Sequence, residues 1–141
     1  MATTRNATAH WEGSLMEGAG TVSLDSSGLG TYDVTWASRA EDPAGRTSPE
    51  ELIAAAHSTC FSMALSHGLA QAGNPPESID TSAAVTFQPG EGITGIVLTV
   101  RASVPGLSAE EFTTAAENAK TNCPVSKALT GTTITLDAAL A

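Results

Sequence analysis

Basic side chains are scarce in this sequence. Arg5, Arg39, Arg46, Arg101, Lys120 and Lys127 make up all six, against 15 acidic residues in 141 positions. The resulting net charge of −9 repels phosphate backbones and anionic lipid surfaces, so neither nucleic acid nor a membrane surface is expected as a partner. No apolar run is long enough to span a bilayer. The opening MATTRNATAHWEG lacks the apolar core of a secretory signal, so a cytoplasmic location is expected. Cysteine is nearly absent, with Cys60 and Cys123 the only two. Two thiols cannot build a disulfide framework, and a reducing cytoplasm disfavours a permanent bridge. On composition alone, two inert buried thiols acting as small hydrophobes and a reactive pair stand about even. There is no C-x2-C pair of the structural zinc type and no G-x-S-x-G turn, which weakens zinc binding and Ser-His-Asp hydrolysis.

What is present reads as one α+β domain spanning residues 1–141, long enough to bury a core. The first third alternates like strands. TAHWEG, GTVSLD and TYDVTW form a predicted antiparallel meander, with Tyr32, Val34 and Trp36 on one face. ASRAEDPAGRT, with Pro43 and Gly45, is predicted to be a loop. A helix then starts with Ser48 at the N-cap, Pro49 at the first position and Glu51 as capping-box partner. It is expected to run to about Ala72, before Gly73 and Pro75-Pro76. Its middle is apolar on nearly every face, which predicts burial all round. TSAAVTF and GIVLTVRASV follow as a hairpin. The second strand carries Ile96, Leu98, Val100, Ala102 and Val104 on one face and Arg101 on the other. A second helix opens at Ser108 with Glu111, stapled by Leu107 and Phe112, and ends near Asn122. A short helix restarts at Pro124 with Cys123 as its N-cap, and TTITLDAAL closes as a strand. The order is βββ-α-ββ-αα-β.

The chemistry centres on the stretch AAAHSTCFSMALS, where Cys60 sits inside an apolar helix. His57 lies three residues earlier, and with Cys123 it could contribute to a metal site, but the spacing fits a core-edge histidine better. Thiol chemistry is the stronger reading. Cys123 at a helix N-terminus faces free N–H groups that favour its thiolate. Cys60, in mid-helix, has no such help, and desolvation opposes its ionisation. A cation about 4 Å away, at an effective dielectric near 20, contributes roughly 4 kcal/mol, or about 3 pKa units. That is enough to offset a moderate desolvation shift.

SPEELIAAAHSTCFSMALS followed by NCPVSKAL resembles the osmotically inducible protein C (OsmC) and organic hydroperoxide resistance family. AHWEG, SIDT, VPGLSAEEF and ITLDAAL extend the likeness over nearly the whole chain. AHWEG and the histidine before Cys60 resemble the OsmC branch more than the hydroperoxide resistance branch. The resemblance implies an intertwined homodimer acting as a thiol peroxidase, with no metal or prosthetic group. It implies reduction of organic hydroperoxides to alcohols in stress defence. The peroxide-attacking cysteine falls on Cys60 and the resolving cysteine on Cys123, overruling the ranking that the helix dipole suggests. The activating arginine falls on Arg39, with Arg46 nearby, and the glutamate that holds it falls on Glu50. Serine at position 48 stands where the family motif often has asparagine, and it caps a helix equally well. A dithiol, such as a lipoyl-bearing protein, is the implied reductant.

One part of this has a geometric basis of its own. Glu50 and Cys60 are ten residues apart, about 15 Å along one straight helix. If both serve one site, a second chain must bring its Glu50 and Arg39 to this Cys60, which predicts a C2 dimer with composite sites. The rival reading is a non-enzymatic dimeric stress protein that binds an apolar ligand, with both thiols as packing residues. Phe61, Met63 and Leu65 are the candidates for an apolar wall favouring greasy peroxides.

Overall fold

The computed structural model describes residues 1–141 and divides into two units, Met1–Leu52 and Ile53–Ala141. In the first unit, β1 (Thr8–Glu12), β2 (Ala19–Ser23) and β3 (Thr31–Val34) form the expected antiparallel meander in the order β1-β2-β3. Trp11 pairs with Gly20 and Thr21 with Asp33. The third strand is shorter than its alternation suggests. It ends at Val34, and Trp36 opens a one-turn helix, α1 (Trp36–Ala40), where a loop was expected. The cause is a capping box with serine in the place usually held by Glu or Gln. The Thr35 hydroxyl accepts from the Ser38 N–H, and Ser38 Oγ accepts from the Thr35 N–H, each at 3.0 Å. Trp36 therefore does not share a strand face with Tyr32 and Val34.

The long helix α2 (Pro49–Gln71) starts where its signals place it. Ser48 Oγ accepts from the Glu51 N–H at 3.2 Å, but the reciprocal half of the box goes elsewhere. Glu51 accepts the Thr47 hydroxyl at 2.6 Å. The helix ends in a Schellman pattern. The Asn74 N–H bonds the Leu69 carbonyl at 2.9 Å and the Gly73 N–H bonds that of Ala70 at 3.0 Å. Gly73 takes a φ of 90°, which a residue with a Cβ adopts only with strain.

In the second unit, β4 (Ser78–Gln88) and β5 (Gly92–Ser103) are a hairpin; β4 is longer at both ends than the sequence pattern marks, and β5 starts earlier but stops one residue sooner. The helices α3 (Ala109–Asn122) and α4 (Pro124–Ala128) lead to β6 (Ile134–Leu140). The sheet order is β4-β5-β6, antiparallel and then parallel, with Leu98 opposite both Ala83 and Leu136. Parallel neighbours need a crossover, which α3 and α4 provide. α3 has the full capping box of Ser108 and Glu111, with Phe112 fully buried and Leu107 packed against the same core. The core lies between one sheet face and the helices. Ile96, Leu98, Val100 and Ala102 of β5 are buried there, as expected, and Leu98, Val100 and Ala102 share one apolar cluster with Phe61, Leu65 and Leu69 of α2 and with Phe112, Ala116 and Ala119 of α3. Arg101 points away from that face and pairs with Asp137 at 3.2 Å.

The expectation that α2 is buried all round does not hold for this chain. A single stripe, His57, Phe61, Leu65 and Leu69, is fully buried. Ala56, Thr59 and His67 are exposed, and Met63 is 68% exposed. One chain covers one side of the helix, and the small-residue side has no cover of its own. Phe61→Ala should cost about 3–5 kcal/mol through lost burial and a residual cavity. The measurement is a urea midpoint lowered at unchanged slope.

Candidate active site

The two cysteines meet although 63 positions separate them, with their sulfurs 3.0 Å apart. Both are free thiols. Cys60 flanks the buried stripe of α2 and remains partly exposed, whereas Cys123 is fully buried. Cys123 owes its depth to α3. It continues the apolar stripe Phe112, Ala116, Ala119, and its N–H bonds the Ala119 carbonyl at 2.8 Å. It is at once the C-cap of α3 and the N-cap of α4.

These placements give the thiols opposite tendencies. Burial pushes the Cys60 thiol above its ordinary range, and the hydrogen bond with Cys123 pushes the same way, while the backbone N–H of Val125 opposes weakly. Burial also works against Cys123. There, however, the Cys60 thiol, the Ser126 backbone and hydroxyl and the Val125 backbone all favour the thiolate, and the net shift is downward. Cys123 makes no close capping hydrogen bond to α4, so the amides act on its sulfur as nearby dipoles.

Arg39 and Glu50 form a second pair, in the first unit. Arg39 Nε donates to Glu50 Oε1 at 3.0 Å and Nη2 donates to Oε2 at 2.9 Å, a two-pronged clamp. Glu50 is buried, and Arg39 keeps about a third of its side chain exposed, at 32%. The short helix α1 carries Arg39 in its last turn, and the first turn of α2 carries Glu50. It is Arg39 that faces the carboxylate, not Arg46.

His57 is fully buried, and its Nε2 lies 2.8 Å from Ser126 Oγ. Its Nδ1 has no partner, and burial lowers its pKa, which favours the neutral ring. Nothing in the sequence pattern singles out Ser126, although its position three residues after Cys123 on a helix is a usable signal. No three His, Cys, Asp or Glu side chains converge as a metal site. Phe61 and Leu65, read from the sequence as candidates for an apolar wall, are instead inside the core. The open apolar surface near the thiols is a groove of about 730 Å³ between α2 and α3. Ala64, one turn beyond Cys60, and Pro124, next to Cys123, line it together with Leu69, Leu107, Ala115 and Ala119.

Residues 41–137 match the family of OsmC-like proteins. The chain belongs to that family. It is 47% identical over 132 residues to peroxiredoxin OsmC of Escherichia coli, covering 92% of this chain and 91% of that protein. It is 40% identical over 88 residues to an organic hydroperoxide resistance protein of Xanthomonas axonopodis, covering 60% of this chain and 61% of that one. Among solved structures it resembles an organic hydroperoxide resistance protein OsmC from Legionella pneumophila, with a TM-score of 0.75 and 25% identity over 100% of this chain and 98% of the other. The α+β architecture read from the sequence is the OsmC-like architecture, and the longer likeness lies with the OsmC branch.

Closing an S–S bond needs the sulfurs to move from 3.0 Å to about 2.05 Å, a shift of roughly 1 Å. A mild thiol oxidant should therefore form one Cys60–Cys123 bridge within each chain. Peptide mapping without reductant checks this: the linked peptide pair should dominate over chain-to-chain products.

Proposed function

We propose that this OsmC-like protein is a thiol peroxidase that reduces organic hydroperoxides to alcohols in stress defence. The observation that carries the reading is the sulfur pair, one thiol partly exposed and the other buried against it. A packing pair has no need of that contact. An attacking and a resolving thiol do.

In this reading the Cys60 thiolate attacks the O–O bond of ROOH, the alcohol leaves, and Cys60 becomes a sulfenic acid. Cys123 then condenses with it, forming the S–S bond and releasing water. An external dithiol, such as a lipoyl-bearing protein, returns the disulfide to two thiols. The groove lined by Ala64, one turn from Cys60, and by Pro124, next to Cys123, is the proposed seat of the organic part of the peroxide.

Because burial and Cys123 both disfavour the Cys60 thiolate, the reaction needs a cation at Cys60. Arg39, held by Glu50, is the proposed source, and it also stabilises the charge that develops on the departing oxygen. Ten residues of α2 separate Glu50 from Cys60, so Arg39 and Glu50 of the partner subunit are the proposed contributors in a C2 homodimer. The exposed small-residue side of α2 supports that pairing, since it leaves Met63 and its neighbours to be covered. Each chain acts as one domain over residues 1–141, and two free thiols suit the reducing cytoplasm.

Three substitutions test the roles. Cys60→Ser should abolish peroxide turnover. Cys123→Ser should allow a single turnover followed by overoxidation, seen by mass spectrometry as sulfinic acid on Cys60. Arg39→Ala should slow the peroxide step by about 10²–10³-fold at neutral pH. Removing the cation raises the Cys60 pKa, so the pH–rate profile should move to higher pH, with part of the rate regained in alkali. The rival reading, a dimeric binder of apolar ligands with inert thiols, predicts no loss of free thiols on adding one equivalent of cumene hydroperoxide. The peroxidase predicts loss of both, reversed by a dithiol.

A further inference from the structure

A fully buried imidazole with one nitrogen unpartnered is an expensive way to fill a core. Leucine has a similar volume and no such penalty. The partner that His57 does have is Ser126, itself only 5% exposed. The two residues stand in a regular relation to the thiols. His57 is three residues before Cys60 on α2, and Ser126 is three residues after Cys123 on α4. Residues three apart on a helix are neighbours on one face. The two helical turns therefore face each other in opposite senses and are joined by two rungs, His57–Ser126 at 2.8 Å and Cys60–Cys123 at 3.0 Å.

We propose that the His57–Ser126 hydrogen bond is a positioning pair for the resolving step, holding the Cys123 sulfur in reach of Cys60 while Cys60 carries oxygen. This rests on the peroxidase reading above. The thiol rung changes once Cys60 becomes a sulfenic acid, because the Cys60 sulfur then carries an oxygen in place of its proton or negative charge. The polar rung is untouched by that chemistry. It keeps the first turn of α4, a helix of only five residues, docked against α2. In the tautomer whose Nε2–H donates to Ser126 Oγ, the Ser126 hydroxyl proton is left for the Cys123 sulfur, where it favours the thiolate. The step is balanced: the S–O bond of Cys60 breaks, the Cys60–Cys123 bond forms, and the Cys123 proton leaves with the oxygen as water. The inference concerns the lifetime of the sulfenic acid and hence the protein's resistance to overoxidation.

Ser126→Ala and His57→Leu remove the rung from either side, and Ser126→Thr keeps the hydroxyl. Each protein is mixed rapidly with cumene hydroperoxide. Sulfenic acid is trapped with dimedone, and disulfide and sulfinic acid are counted by mass spectrometry. In Ser126→Ala and His57→Leu, Cys60 should be oxidised at the wild-type rate, whereas disulfide formation should slow by about tenfold or more. Sulfinic acid should then accumulate, and Ser126→Thr should restore rapid disulfide formation. Wild-type disulfide rates in variants that oxidise normally would overturn the inference. So would an equal loss in both steps, which signals general loosening of the core. If His57→Leu does not fold, Ser126→Ala, which removes one hydroxyl, decides with its threonine rescue. A wild-type protein in which Cys60 gives neither sulfenic acid nor disulfide would instead overturn the peroxidase reading.

Discussion

Desolvation of a thiol is the constraint around which the second unit is arranged. Cys60 sits beside a stripe of α2 whose other members, Phe61 and Leu65, are completely buried. That surrounding partly desolvates the sulfur and opposes its ionisation. A charge-poor chain with six basic residues has few means of reversing this. The buried Cys123 adds to the difficulty, because its own thiolate is the one that the amides of α4 favour. In the peroxidase mechanism proposed above, Cys60 therefore calls for a cation delivered from elsewhere.

The clamp between Arg39 and Glu50 suits that role. A guanidinium tied to a carboxylate by two hydrogen bonds is fixed in orientation as well as in place. Glu50 is buried and Arg39 is part exposed, so the clamp presents its positive edge outward. The local reason is a pair of helix beginnings. Thr35 and Ser38 wind the turn that carries Arg39, and Ser48 opens the helix that carries Glu50. The Ser38 hydroxyl also donates to the Thr47 carbonyl at 3.2 Å, tying the two helix starts together.

Cys123 shows how one residue can satisfy several demands. Its backbone ends α3 and begins α4, so its side chain inherits burial from the first helix and favourable dipoles from the second. Proline at position 124 enforces the break, since it lacks the N–H that would continue α3. The resolving role proposed for Cys123 calls for that combination, a sulfur held in place that ionises without wide access to water.

Much of the framework follows from local chemistry that any short window of the chain contains. Capping at Ser48 and Ser108, the break at Pro124, the alternation of β5 and the end of α2 at Gly73 depend on residues within a few positions of one another. The family resemblance also named Cys60, Cys123, Arg39 and Glu50 as a set, and the structure brings them together as two pairs. Other features escaped. Helix α1 was missed because serine, not glutamate, completes its box. The one-sided burial of α2 depends on which faces of the fold a single chain can cover, and the sequence shows only that the helix is apolar. The His57–Ser126 bond links positions 69 apart, and no periodicity reaches that far. By itself the sequence determined the elements, their order and the chemical types at the site, because propensity and capping act over a few residues. Only the tertiary structure decided which thiol is buried, which arginine meets the glutamate and what holds the two cysteines in register, because those outcomes are set by packing between distant segments.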